Sequence, residues 1–352
     1  MDRVRDSLTR CGGCERYVCC CQTGVDNVQL AHRVPGNHLS SYLARKHFRL
    51  DHFDLSGRTN HVNAEREVLE KLCERDPRII NLLAYFREPG IKAWHLVLEF
   101  APGGTLENRI RAAGVLNIED AKYYAAQTYL AVRFLRAENV AHRDVKPSNL
   151  LITARGHIKL SGFTYAKILR PGERTYTLIG TVNYMAPEIL QGARMTGVNS
   201  GADGYDGYDG IVDWWSVGAC IYEMVQGAAP FSNCETPEDQ LRGLETFAAE
   251  GDLPRIRRCA DARAWDLVNK FMCLDPKARR EFAESPAVKS HELFKFYKRE
   301  KLQWSLFDNV STYPPPPFVP KHVNASAPHE NYALLPDIRR APRKKRHPQN
   351  ES

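Results

Sequence analysis

The chain has 352 residues, 43% of them apolar, which is enough for one large domain or two lobes with a substantial core. Its net charge is +7, but six basic residues lie within 339–346, so the rest of the chain is nearly neutral and we predict no nucleic-acid partner. The N-terminus is charged and no apolar run approaches the length of a membrane span, which predicts a cytoplasmic protein without a transmembrane segment.

Cysteines are concentrated near the N-terminus, where five of the ten lie within residues 11–21. Cys11 and Cys14 have the spacing of half a zinc site, but no second pair of ligands follows at a suitable distance. Acylation of residues 19–21 and burial of small thiols in a first β-strand are the alternatives. The scattered remainder predicts reduced thiols rather than a disulfide framework.

A predicted strand that ends in Ala44-Arg45-Lys46 is followed by a predicted amphipathic helix around Glu65. Glu65 shares one face of that helix with apolar residues at i±3, i+4 and i+7 spacing, namely Val62, Val68, Leu69 and Leu72. A carboxylate on an apolar face needs a partner.

Two further elements lead to a polar loop. An apolar strand over 93–100 ends in the Pro102-Gly103 turn, and residues 121–138 form a long amphipathic helix. The next loop carries Asp144, Lys146 and Asn149, which are a base, a cation and a neutral oxygen ligand in one short stretch. The alternative is an ordinary turn between two apolar segments.

The ordered series His142-Arg143-Asp144-Val145-Lys146-Pro147-Ser148-Asn149 resembles the catalytic loop of eukaryotic protein kinases of the serine/threonine type. The resemblance runs from about residue 15 to about residue 320, and it is closest to the AGC group. It implies an α+β, bilobal protein kinase fold. The implied divisions are an N-terminal segment 1–14, a β-rich N-lobe 15–98, a hinge and helical C-lobe 99–298, an AGC-like C-terminal extension 299–325 and a basic disordered tail 326–352.

The resemblance also implies roles for the loop side chains. Asp144 would accept the proton of the substrate hydroxyl, Lys146 would steady the transferring phosphoryl group and Asn149 would hold magnesium. Lys46 would bind the ATP phosphates and be positioned by an ion pair with Glu65. The alternative is that Lys46 and Glu65 form a surface salt bridge that falls at this spacing by chance. The adenine contacts would come from Leu98, Glu99 and Ala101.

Two departures from the family pattern weaken the expected binding of ATP and magnesium. Gly162 stands where the family has the magnesium-binding aspartate of Asp-Phe-Gly, although Phe163 keeps the apolar role. Of the three glycines expected in the phosphate-covering loop only Gly24 remains, and Asp26 would bring negative charge towards phosphate. At these points the chain resembles STRAD-type pseudokinases.

The segment that follows resembles an AGC activation segment. A phosphate on Thr177 would pair with Arg143, whereas an unmodified surface threonine is the alternative. Thr181 is expected near Asp144 and Lys146. The resemblance further implies structural roles for three residues, with Glu188 pairing with Arg279 and Asp213 anchoring the catalytic-loop backbone.

Two regions are expected to lie outside the regular elements. Residues 192–210 contain Gly-Tyr-Asp twice and predict a flexible insertion. The basic cluster 339–346 suggests nuclear import or an anionic surface, and a solvated tail is equally compatible with it.

Taken together, the motifs predict a serine/threonine kinase that transfers the γ-phosphoryl group of ATP to a protein substrate at a much reduced rate, with weakened or absent magnesium. The alternative is a catalytically dead pseudokinase that regulates a protein partner as an adapter or scaffold. A folded remnant that binds neither nucleotide nor partner is a third possibility.

Overall fold

A computed structural model describes residues 16–22, 28–34, 42–49, 58–88, 93–194, 206–250, 261–320 and 339–340. The chain forms two compact units, one made of Met1–Val62, Asn81–Phe100 and Asn324–Ser352 and the other of Asn63–Ile80 and Ala101–Val323. Residues 63–80, which we expected in the N-lobe, therefore cluster with the second unit. The predictions made for Cys11, Cys14, Gly24 and Asp26 lie outside the described residues.

The first unit is built on an antiparallel sheet with the strand order β1-β2-β3-β5-β4-β12. Its strands are β1 (Arg16–Gln22), β2 (Val28–Val34), β3 (Tyr42–Arg49), β4 (Leu82–Glu88), β5 (Ala93–Glu99) and β12 (Arg339–Arg340). The central strand β5 pairs with β3 on one edge and with β4 on the other, and most of its side chains are buried. Strand β12 pairs with β4, with Arg339 opposite Tyr85 and Arg340 opposite Ala84.

The second unit is mainly helical. Its helices are α1 (Arg58–Leu72), whose first residues belong to the first unit, α2 (Leu106–Ala113), α3 (Ile118–Ala137), α4 (Pro187–Arg194), α5 (Val212–Gln226), α6 (Pro237–Glu250), α7 (Ala262–Phe271) and α8 (Pro276–Glu284). All fifteen residues of α5 are buried, as its almost wholly apolar sequence predicts. The expected α+β division into a smaller β-rich unit and a larger helical unit is confirmed.

Helix ends in the second unit follow ordinary capping chemistry. At the start of α3, the side chain of Asn117 accepts a hydrogen bond from the N–H of Asp120. At the start of α8, the side chain of Asp275 accepts one from the N–H of Lys277, and Pro276 is the first residue of the helix. Helix α5 ends at Gln226, and the next residue, Gly227, has a φ of 83° that lets its N–H reach the carbonyl of Glu223.

Three small antiparallel pairs complete the second unit: β6 (Val140–Ala141) with β9 (Lys167–Ile168), β7 (Leu150–Ile152) with β8 (Ile158–Leu160), and β10 (Phe296–Tyr297) with β11 (Glu300–Lys301). The predicted catalytic loop joins β6 to β7, so two short pairings hold its ends.

The proline-rich segment packs on this unit. Tyr297 donates to the carbonyl of Pro315 at 2.8 Å, and the ring of Tyr313 meets His157 edge-on at 4.8 Å. No helix in the described part of the chain is long and apolar enough to cross a bilayer.

Candidate catalytic site

The catalytic-loop backbone is anchored by a buried carboxylate on α5. Asp213 accepts the backbone N–H of His142 at 2.7 Å and that of Arg143 at 2.8 Å. Burial raises the pKa of the Asp213 carboxyl, and the two N–H donors and nearby His142 oppose that rise. Arg143 adopts a left-handed φ of 67°, a costly conformation for a residue with a side chain that this anchor helps to maintain. Asp213 thus contacts the catalytic-loop backbone at the point that the sequence predicted.

The Asp144 carboxylate is surrounded by three polar side chains. Thr181 donates its hydroxyl to Oδ1 at 2.6 Å, whereas the Lys146 ammonium and the Asn149 amide lie 3.0 and 3.1 Å from Oδ2. The same Thr181 hydroxyl accepts a hydrogen bond of 2.5 Å from Lys146. The four side chains therefore form one connected network, in which Thr181 lies where the sequence predicted it. Such a carboxylate can still accept a hydroxyl proton at Oδ1, because Oδ1 contacts only the Thr181 hydroxyl among these side chains and keeps a second lone pair.

Gly162 contributes no side chain, and Asn149 fills the adjoining space. Gly162 has a left-handed φ of 79°, and a Cβ atom added there would meet Oδ1 of Asn149. The Asn149 amide nitrogen also lies close to that point, and it donates to the carbonyl of Asp144 at 2.7 Å. The loop thus offers a neutral amide oxygen where the family has a carboxylate.

This donor set does not fit a magnesium ion held by the protein. Magnesium sites in proteins use one or two carboxylates together with substrate phosphates. Both oxygens of Asp144 already accept hydrogen bonds, and Gly162 supplies no ligand. Among the described residues, no group of three or more histidine, cysteine, aspartate or glutamate side chains could hold a metal ion.

Phe163 and His142 pack against each other behind the loop. The Phe163 ring is fully buried and meets His142 edge-on at 4.7 Å between ring centroids. The Nε2 atom of His142 bonds to the carbonyl of Ser161 at 2.9 Å, so the backbone N–H of Asp144 donates to Nδ1. Burial lowers the pKa of His142, which keeps the ring neutral in this arrangement.

Glu65 is 1% exposed on α1, together with the predicted apolar residues of that face. Its Oε2 accepts a hydrogen bond from the hydroxyl of Thr164 at 3.1 Å. Sequence reasoning did not single out Thr164. The available signal was its position directly after Phe163, where the family motif has glycine.

Arg143 contacts the activation segment. Its guanidinium donates to the Thr177 hydroxyl at 2.9 Å and to the carbonyl of Tyr165 at 2.6 Å. Tyr208 is buried and donates its hydroxyl to the Thr177 carbonyl at 2.5 Å, and its backbone pairs with Thr175. Part of the expected insertion lies outside the described residues. In its described part, the carbonyl of Gly207 also accepts a hydrogen bond from Arg174 at 3.1 Å, and the flexibility of the insertion stays a prediction.

Glu188 and Arg279 form the ion pair expected from the sequence. The two terminal nitrogens of the Arg279 guanidinium each donate to one oxygen of the Glu188 carboxylate, both at 2.9 Å. Burial raises the pKa of Glu188 and lowers that of Arg279, and the attraction between the two groups opposes both shifts.

The remaining predicted residues lie on or next to the sheet of the first unit. Lys46 is on β3 opposite Leu96, and its ammonium lies 5.1 Å from the centroid of the Phe48 ring. Leu98 is buried on β5, and the N–H of Glu99 donates to the carbonyl of Asn81 at 3.1 Å.

Ala101, the first residue of the larger part of the second unit, is also buried. The pairing of Lys46 with Glu65 and the adenine contacts of Leu98, Glu99 and Ala101 stay predictions.

The family model for the protein kinase domain matches residues 33–294, which is well over half of the chain. The chain belongs to the protein kinase family. It is 34% identical over 264 residues to a Caenorhabditis elegans protein named as cAMP-dependent protein kinase, catalytic subunit-like, covering 74% of this chain and 58% of that protein.

Two other relatives are similar at comparable identity. The cAMP-dependent protein kinase catalytic subunit of Dictyostelium discoideum is 34% identical over 279 residues, covering 77% of this chain and 38% of the relative. The atypical protein kinase C of Drosophila melanogaster is 32% identical over 262 residues, covering 72% and 40%. The chain thus spans roughly half the length of the curated relatives it matches. These relatives confirm the AGC-like, serine/threonine-type resemblance of this kinase-family chain.

Proposed function

We propose that this kinase-family protein transfers the γ-phosphoryl group of ATP to serine or threonine hydroxyls of a protein substrate at a much reduced rate. The observation that carries the proposal is the network at Asp144, where Thr181, Lys146 and Asn149 all contact the carboxylate. These side chains bring together a base, a cation and two groups that hold the base in place.

Asp144 is the base in the proposed reaction. As the substrate hydroxyl oxygen forms its bond to the γ-phosphorus, its proton passes to the Asp144 carboxylate, and the bond between the γ-phosphorus and the bridging oxygen breaks to release ADP. Lys146 lies 3.0 Å from that carboxylate and can offset the negative charge that develops on the transferring group. Thr181 and Asn149 hold the carboxylate in place.

The reduced rate follows from Gly162. A bound metal ion stabilises transferring phosphoryl charge by several kcal/mol, and here its carboxylate ligand is missing. A loss of about 3–5 kcal/mol would slow transfer roughly a hundred- to several-thousand-fold.

The test is transfer of labelled phosphate from ATP by the purified full chain. Asp144→Asn should abolish transfer, because an amide cannot accept the proton. Asp206→Asn is the matched control, since Asp206 is exposed and lies outside this network. Full activity in Asp144→Asn would exclude the proposed mechanism.

The second candidate function is a pseudokinase adapter that regulates a protein partner by its folded shape. The filling of the space beside Gly162 by Asn149 favours it, because this arrangement needs no metal ion. Under this alternative, Asp144→Asn would keep full effect on the partner and labelled phosphate transfer would be absent from the wild type. Shifts in melting temperature with ATP, with and without magnesium, would separate a nucleotide binder from a chain that binds none, because a ligand of the native state raises its stability.

A further inference from the structure

A side-chain hydrogen bond joins α1 to the turn that follows Gly162. The hydroxyl of Thr164 donates to Oε2 of Glu65 at 3.1 Å across 99 residues of sequence, and Glu65 is almost fully buried. A hydrogen bond to an ionised carboxylate is stronger than one between neutral groups, and more so where water is excluded.

The turn that presents Thr164 is held on both sides. Phe163 packs edge-on against His142, and the N–H of Ala166 donates to the carbonyl of Phe163 at 3.0 Å. The carbonyl of Tyr165 accepts the 2.6 Å hydrogen bond from Arg143. Threonine is also β-branched and therefore stiff at χ1, so its hydroxyl points in a defined direction.

We propose that Thr164 is a positioning residue that holds the Glu65 carboxylate in the site whether or not a nucleotide is bound. Glycine, which the family motif has at this position, has no hydroxyl and cannot make this contact. The bond ties α1 directly to the segment that lost its aspartate. The consequence for nucleotide affinity rests on the proposed role of Glu65 in ATP binding.

The first experiment measures hydrogen–deuterium exchange of peptides covering Arg58–Leu72 in the full chain without nucleotide. Thr164→Val, which has nearly the same shape, should speed exchange of this helix about fivefold, whereas Thr164→Ser should leave it within about twofold of the wild type. Thr246→Val is the control, because the Thr246 hydroxyl donates to the carbonyl of Arg242 within its own helix, α6. Unchanged exchange in Thr164→Val overturns the proposal.

The second experiment measures the dissociation constant of ATP by calorimetry. Thr164→Val should weaken binding about five- to twentyfold, Thr164→Ser should restore it, and the midpoint of thermal unfolding without ATP should change little. In a Glu65→Ala background, Thr164→Val should have no further effect. Equal weakening in both backgrounds would mean that the hydroxyl acts elsewhere and overturns the proposal.

The two experiments also separate this proposal from the proposed function. If the wild-type chain binds no ATP, the proposed kinase function fails, and the exchange measurement alone decides the role of Thr164. If ATP binds but the exchange of α1 is the same in the wild type and in Thr164→Val, the kinase function stands and the positioning role fails.

Discussion

At position 162, an aspartate could be excluded either by the backbone conformation or by the neighbouring side chains. The φ of 79° at Gly162 is left-handed, and aspartate is among the few side chains that adopt this region repeatedly. The backbone therefore does not exclude the aspartate of the family motif. The obstacle is the side chain of Asn149, which occupies the space that a Cβ atom would need.

Restoring that aspartate tests the reason for the low rate. Once Asn149 rotates to admit the new side chain, and if the rest of the site is competent, Gly162→Asp should raise phosphoryl transfer at least about tenfold in the presence of magnesium, because the new carboxylate supplies the missing metal ligand. The measurement is the initial rate of transfer at increasing magnesium concentration.

Gly162→Ala is the control for that substitution. Alanine makes the same contact with Asn149 and has no carboxylate, so we expect no gain in rate and a loss of about 1–2 kcal/mol in the free energy of unfolding. Equal rates in the aspartate variant and the wild type would mean that another part of the site, such as the loop with a single glycine, limits transfer.

At the scale of elements, the ion pair between Glu188 and Arg279 connects α4 to α8. The Arg279 side chain is fully buried and also lies 5.5 Å from the centroid of the Trp215 ring on α5. A buried pair of this kind contributes little net stability when intact, but losing one partner leaves an uncompensated charge.

Arg279→Met should therefore lower the free energy of unfolding by about 3–5 kcal/mol, measured by chemical denaturation. Arg280→Met is the matched control on the same helix, because the ion pair of Arg280 with Asp209 is about half exposed and its loss should cost less than about 1 kcal/mol. Similar losses of unfolding free energy in Arg279→Met and Arg280→Met would show that burial of the pair between Glu188 and Arg279 does not determine the cost of removing one partner.

The activation segment is held by Tyr208 as well as by Arg143. Tyr208→Phe removes the hydroxyl that donates to the Thr177 carbonyl, so we expect a loss of about 1 kcal/mol and faster hydrogen exchange over residues 174–178. Tyr176→Phe is the control in the same segment, because Tyr176 is exposed. Unchanged hydrogen exchange over residues 174–178 in Tyr208→Phe would show that the Tyr208 hydroxyl does not hold the activation segment.

At the scale of the whole molecule, the buried histidines make stability depend on pH. Burial, with nearby Arg45, lowers the pKa of His95 to about 3, and burial with nearby Arg155 lowers that of His157 to about 4. The pKa values of His142 and His291 are also lowered by burial. Below the ordinary pKa of 6.5 the unfolded chain binds more protons than the native state, so this contribution is complete above pH 6.5 and is lost as pH falls towards 4.

As pH falls through this window, His95 and His157 should each lower the free energy of unfolding by at most about 1.4 kcal/mol per pH unit. His157→Gln removes one such group, so unfolding between pH 6.5 and 4 should take up about one proton fewer. The slope of the free energy of unfolding against pH should become correspondingly shallower. The measurement is urea denaturation at a series of pH values. An unchanged slope would show that His157 is protonated in the native state.

The catalytic loop and its anchors could be predicted because their residues lie at short, fixed spacings. Asp144, Lys146 and Asn149 lie within six positions of each other, and their order along one loop already determines that they meet. The pairing of Glu188 with Arg279 and the anchoring by Asp213 could also be predicted, since both follow from motifs that the family resemblance places. The missing carboxylate at Gly162 is likewise visible in the sequence alone.

Tertiary structure alone decided which side chains fill the space around these motifs. Thr164 reaches Glu65 across 99 residues, Tyr208 closes over Thr177 from a segment that its composition predicted to be flexible, and Asn149 fills the space beside Gly162. Residue type and spacing are properties of one segment, and a sequence displays them directly. A contact between distant segments depends on how whole elements pack, and no periodicity or motif in either segment encodes it.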